Sequence, residues 1–171
     1  MGSAAASKLA EGVKEASPAA LQESAKDLSG EERSRIMSAI AILELAGGYA
    51  GSTSNGDWGD YSIRVQVKQD ATATVSESAC FFRDSPSEDT THTGTCSVTD
   101  DILTFTAKET TTTSSYADEG SDKTVIIKFK IQGDGSLARL AEDGTIAVMQ
   151  GGYDGEKVPA ILKRKKCTKT G

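Results

Sequence analysis

The sequence predicts a mainly β protein of the α+β class: an antiparallel up-and-down β-barrel of eight to ten strands carrying an N-terminal three-helix lid. Three observations predict it. Hydrophobic residues recur with a helical period through residues 1–46, and the period drops to 2 from Gly48 onward. The period-2 segments are joined mostly by short turns, which connect antiparallel neighbours and cannot connect parallel ones. Each segment keeps one apolar and one polar face, and eight or more such strands remove their exposed edges by closing on themselves.

The chain has 171 residues, enough for one well-buried domain with a small helical appendage: a bundle over 1–46, then a barrel over 47–171 that ends in a basic tail. Apolar residues make up 37% and aromatics only 5%, so Val, Ile, Leu and Ala must build most of the core. Seventeen glycines against three prolines indicate tight turns rather than a disordered linker.

In the first helix Leu9, Val13 and Ala16 form a thin apolar stripe. Ser17-Pro18 stops and restarts the chain, with Ser17 as N-cap and Pro18 in the first helical position. Leu21, Ala25 and Leu28 mark the second helix. Ser29 to Glu32 reads as a capping box for a third, which carries Ile36, Met37, Ile40 and Leu43 and becomes apolar nearly all round. Such a helix end must be covered on more than one side, so the third helix is expected to rest on the sheet and seal one barrel mouth. Gly47-Gly48 then turns the chain into the first strand.

Tyr61, Ile63, Val65 and Val67 alternate with polar residues in the next strand, and Trp58 in the loop before it is expected at the other mouth. "ATATVSESACFF" follows. "GTCSVT" and "ILTFTAKE" form a hairpin about Asp100-Asp101, and Val125, Ile127, Phe129 and Ile131 share one face of "KTVIIKFKI". "SLARL" and "TIAVMQ" come next, separated by the turns "QGDG" and "AEDG", and "KVPAILKRK" is a last strand whose Pro159 suits an edge.

"GGYAG" at 47–51, after its helical lead, resembles the Gly-x-aromatic opening of the calycin barrels, the lipocalins and intracellular fatty-acid-binding proteins, with Tyr49 where lipocalins carry Trp. A helical bundle ahead of such a barrel also resembles, in architecture, one catalytic repeat of dinoflagellate luciferase. That family gates its activity with several histidines in the bundle, whereas this chain has one histidine, outside it. The calycin resemblance implies a ligand held inside the barrel.

The net charge is −6, and because residues 163–171 hold five cations and no acid, the rest of the chain carries −11. An acidic body is a poor match for nucleic acid. Lys163, Arg164, Lys165 and Lys166 offer contact with an anionic surface, or are simply solvated. No run approaches the roughly 20 apolar residues of a membrane span. "MGSAAASKLAEGVKEA" lacks the apolar segment of a secretory signal, which leans the expectation towards an intracellular protein.

No motif names a reaction. A symmetric hairpin about the loop between Phe82 and Thr93 would set Cys80 opposite Cys96, close enough for a disulfide; the alternative is a pair of reduced, half-buried thiols, with Cys167 left over in the tail. There is no C-x₂-C and no second histidine, so neither a metal nor a cofactor is expected. His92 and Cys96 share a strand face about 13 Å apart, too far for a nucleophilic pair, and His92 reads as a solvent-facing loop residue. Glu88-Asp89, Asp100-Asp101, Asp118-Glu119 and Glu142-Asp143 read as solvated turn acids, "GDG" and "EDG" do not fit a calcium loop, and "GGYDG" is not a phosphate loop.

The barrel interior is the better candidate. Tyr61, Phe81, Phe105 and Phe129 fall on inward positions, Tyr49 opens the first strand, and Arg139 shares parity with Leu137, a count that one β-bulge would reverse. These aromatics are expected to line a small apolar cavity, with Arg139 or Arg83 meeting an anionic head group; alternatively they fill the barrel. The expected function is therefore a carrier of a small lipophilic ligand, such as a fatty acid or pigment. A luciferase-like or isomerase-like barrel enzyme and a filled-barrel interaction module are the alternatives.

Overall fold

Ser29 starts the first described helix as a reciprocal cap: its hydroxyl accepts from the Glu32 amide at 3.4 Å, and its own amide donates to the Glu32 carboxylate at 3.2 Å. The computed structural model describes residues 29–55, 59–80, 88–113, 124–151 and 155–165. The elements are α1 (Gly30–Leu45), β1 (Gly47–Ser54), β2 (Asp60–Val67), β3 (Thr72–Cys80), β4 (Glu88–Thr99), β5 (Ile102–Thr113), β6 (Ile126–Ile131), β7 (Leu137–Arg139), β8 (Val148–Gln150), β9 (Lys157–Pro159) and β10 (Ile161–Arg164). Among the described residues there is one helix rather than three. The two earlier helical stripes, and the lid they would complete, fall in residues 1–28 and lie outside the described residues.

α1 is not an independent bundle member. Ile42 and Leu45 belong to the same apolar cluster as the barrel, and the Ser38 hydroxyl accepts from the Val98 amide at 3.0 Å, seating the helix over the β4 end of the barrel. The last carbonyls of a helix need donors from elsewhere. Here the Tyr49 hydroxyl donates to Leu45 O at 2.8 Å, and Arg164 of β10 donates to Ala46 O at 2.5 Å. Gly47, at φ 149°, makes the bend between helix and strand.

Eight antiparallel strands close a barrel in the order β1-β10-β7-β6-β5-β4-β3-β2, while β8 and β9 form a separate two-stranded sheet. The two segments expected as barrel strands near the end of the chain therefore behave differently. "TIAVMQ" leaves the barrel as β8, and "KVPAILKRK" divides at Ala160 into β9 and β10. Pro159 has no N–H to give, so it sits on β9, which pairs only with β8. Ala160 then bonds to both sides: its amide donates to Ala147 O at 2.8 Å and its carbonyl accepts from Arg139 N at 2.9 Å.

Tight turns join the strands at both ends of the barrel. Asp100 and Asp101 both have positive φ, as a two-residue hairpin turn requires. Asp70, Asp134 and Asp143 each accept from the amide and hydroxyl of a Ser or Thr two residues on, at 2.6–3.0 Å. Those hydrogen bonds hold all three carboxyls below the ordinary carboxylate range. Asp134 of "GDG" and Asp143 of "EDG" are thus committed to their own turns.

The one irregularity in the β4–β5 ladder falls between Thr93 and Gly94, where Lys108 is the extra residue on β5. A side chain at Gly94 would stand 2.0 Å from Thr106 O, so the close approach needs glycine. The bulge changes which residues face inward. Phe105 and Ala107 face the lumen before it, and Thr110 lies opposite His92 after it; an unbroken ladder would put Glu109 there.

Cys80 and Cys96 are not joined by a disulfide; both remain thiols. β4 begins at Glu88, opposite Ala79, so the β3–β4 register differs from the symmetric hairpin and the two thiols are not opposed. Cys96 instead packs at the far end beside Ala71, and burial, with Asp70 nearby, pushes its thiol up to about 11.

Candidate functional site

Tyr49, Phe105 and Phe129 are almost wholly buried, together with Leu103, Leu137, Leu162 and Val75, and they pack the part of the bore nearer α1 into a continuous apolar core. Each such side chain contributes roughly 1.5–3 kcal/mol by leaving water. Phe81 and Arg83 lie outside the described residues, as do Trp58 and Cys167. Of the sequence-predicted set, the structure brings Tyr61 and Arg139 together at a cavity and places Tyr49, Phe105 and Phe129 in the packed core beneath it.

That cavity holds about 510 Å³ and continues into a recess of about 410 Å³; both share Tyr61, Glu77 and His92 as lining residues. Ile63, Ile127, Leu140 and Ala147 supply apolar wall, and Ile126 and Val148, 58% and 59% exposed, form an apolar rim. Glu88 and Glu142 also lie on the lining, at exposed positions.

Across the cavity runs an ion pair. Glu77 on β3 and Arg139 on β7 meet at 2.7 Å, with side chains 19% and 25% exposed. In the ring of eight strands β3 and β7 are four places apart in either direction, so the pair joins opposite walls of the bore. Tyr61, on β2 beside β3, completes it: its hydroxyl donates to Glu77 Oε2 at 2.5 Å and accepts from Arg139 Nη1 at 3.3 Å. Burial, followed by the bond to Glu77, raises the Tyr61 phenol to about 12, so it remains a donor to the carboxylate.

His92 is not the solvent-facing loop residue the sequence suggested. It lies within β4, 7% exposed, because the strand begins at Glu88 and carries His92 onto the lumen side. Its Nδ1 bonds to the Thr110 hydroxyl at 2.8 Å. Nε2 has no hydrogen-bond partner among the described residues and is not sealed off, so it opens to the cavity. Burial lowers the His92 pKa, Glu77 draws it up in part, and Arg139 pushes it down again.

The linkage follows in sign. In the unfolded chain His92 takes up its proton near pH 6.5, and in the fold it does so only at lower pH. The stability this residue contributes is therefore present above pH 6.5 and is lost as the pH falls through the folded value. The urea midpoint of the wild type is expected to drop between pH 7.0 and 5.5, and more steeply than that of His92→Gln; parallel profiles would contradict a buried neutral imidazole.

Comparison of this chain with protein-family models, with curated proteins and with solved structures finds no match. The site rests on its own chemistry. Among the described residues no cluster of His, Cys, Asp and Glu is arranged to hold a metal, and no helix is long and apolar enough to cross a membrane. Of the basic residues near the end of the chain, Lys163 and Lys165 are exposed, Arg164 is engaged with Ala46 O and with the Tyr49 ring at 6.0 Å, and Lys166 lies outside the described residues.

Sequence reasoning missed Glu77 and His92. The signal for Glu77 was its parity with Ala73, Val75 and Ala79, an acid on an otherwise apolar face. The signal for His92 was the Thr-rich run around it, which favours strand over loop.

Proposed function

We propose that this protein is a calycin-like carrier that binds a small, neutral amphiphile in the open half of its barrel, the polar end of the ligand inward and its apolar part against the rim. One observation carries the reading: a cavity of about 510 Å³ with apolar walls and a polar cross-bore pair. Ligand sites commonly occupy roughly 300–1,000 Å³ and combine apolar lining with a few convergent polar groups. The aromatic core beneath leaves the ligand at the mouth rather than deep in the barrel. In this reading the helices expected in residues 1–28 complete a lid with α1 at the opposite end.

Charge decides the head group. Arg139 is already matched by Glu77, and with His92 neutral, the acids Glu88 and Glu142 leave the lining negative. Among the described lining residues a carboxylate such as a fatty acid would meet repulsion and no free cation. An alcohol, ketone or aldehyde can accept from the uncommitted N–H groups of Arg139 without bringing charge into a low-dielectric site.

Calorimetric titration with 1-decanol, 2-decanone and decanoate tests this directly. The neutral pair is expected to bind at least about tenfold more tightly than decanoate, a difference of about 1.4 kcal/mol. Tighter binding of decanoate would overturn the neutral-head assignment. Failure of all three to bind, together with no small molecule retained in native mass spectrometry of protein from its own source, would end the carrier reading.

A further inference from the structure

Resting on that binding reading, we infer that the same cavity is a proton-transfer site for enolisable carbonyl compounds, with His92 as the base and Arg139 as the group that holds the carbonyl oxygen. Three features of the geometry lead there. His92 is fixed by Thr110 through Nδ1, so that with the proton on Nδ1 the Nε2 lone pair is presented to the cavity. The bulge at Gly94 makes that second-site partner a neutral threonine instead of Glu109, so the Nδ1 side of the ring meets a hydroxyl and not the Glu109 carboxylate. Arg139 enters the same cavity from the strand opposite β3 and is oriented by Glu77 and Tyr61 through Nη1, which leaves Nε and Nη2 without a partner among the described residues.

A ketone bound with its oxygen on Arg139 turns its α-carbon towards the β2–β3–β4 wall, where His92 lies. Nε2 takes the α-proton; the C–H electron pair becomes the enolate double bond, and the carbonyl π pair moves onto oxygen, where the guanidinium holds the developing charge. Return of the proton to the α-carbon regenerates the ketone. Delivered instead to the γ-carbon of a β,γ-unsaturated ketone, it moves the double bond into conjugation. The proton count balances, nothing is oxidised or reduced, and no further reagent is needed. Glu77 is a positioning residue: it orients Arg139 and retains the Tyr61 proton. The lowered His92 pKa agrees, since the base is neutral at physiological pH. The titratable and charged groups around it are Glu77 on the neighbouring β3, Tyr61 one strand further on β2 and Arg139 across the bore, with Glu88 and Glu142 on the lining.

The experiment incubates the protein with 2-decanone in deuterated buffer, follows loss of the α-proton NMR signals, and measures binding of the same probe by saturation transfer. The wild type is expected to exchange α-protons about a hundredfold faster than His92→Gln at equal probe occupancy. Added imidazole is expected to restore exchange to His92→Ala. The wild-type rate is also expected to rise with pH and to level off before pH 6.5 is reached, which reads the base without any variant, should the substitutions fail to fold. Bound probe with no exchange above buffer, or equal rates in wild type and His92→Gln, overturns proton transfer and leaves the carrier reading intact. No binding of the probe overturns both.

Discussion

Glu77→Leu is expected to destabilise the fold by about 2–3 kcal/mol, while Glu77→Leu combined with Arg139→Met is expected to fall within about 1 kcal/mol of the wild type. Removing one partner of a buried ion pair strands the other charge away from water, at a cost of roughly 3–5 kcal/mol when burial is complete. Glu77 and Arg139 retain 19% and 25% exposure, which softens that figure. Replacing both partners removes the stranded charge and puts apolar side chains beside Ile63, Val75 and Phe129. Urea denaturation of the two singles and the double gives the coupling directly. A single-variant cost below about 1 kcal/mol would mean that the pair behaves like a surface salt bridge and does not brace the bore.

Phe129→Ala is expected to cost about 3–5 kcal/mol, the usual range for opening a void in a closely packed core. Phe129 is fully buried, pairs with Leu103 on one side and Arg139 on the other, and so separates the packed core from the polar pair above it. Its loss both creates a void and exposes the underside of a charged group to it. Ile63→Val, in the same cluster, removes one methylene and is expected to cost only about 0.5–1.5 kcal/mol. Chemical denaturation monitored by circular dichroism distinguishes these magnitudes. A Phe129→Ala cost no larger than that of Ile63→Val would show that the bore is loosely filled.

The barrel was legible because its strands alternate cleanly. Ile63, Val65 and Val67 are buried while Arg64 and Gln66 are exposed, and the turn at Asp100-Asp101 falls where two acidic residues with positive φ let the chain reverse. Other features were hidden for physical reasons. Alternation does not show where a strand begins, so the start of β4 at Glu88 was placed several residues late and His92 with it. Counting along β5 without the bulge would have set Glu109 against His92. β8 and β9 leave the ring where Pro159 has no N–H to give and where Met149 packs beside Gly51, and neither feature changes the hydrophobic pattern. The partnership of Glu77 with Arg139 comes from ring closure, which no local period records.

The ring is joined at β10 by very short ladders: Tyr49 with Arg164 and Ala50 with Lys163 on one side, Ile161 with Ala138 and Leu162 with Leu137 on the other. The β1–β10 ladder also spans the greatest sequence separation in the barrel, and contacts that close long loops form late. Until residues 161–164 have been synthesised and have docked, β1 keeps a bare edge, the C-terminus of α1 lacks its arginine, and β7, which carries Arg139, is held in the ring by β6 alone. Assembly of this protein on the ribosome must therefore wait for its last described strand, and the binding mouth takes shape only in that final step.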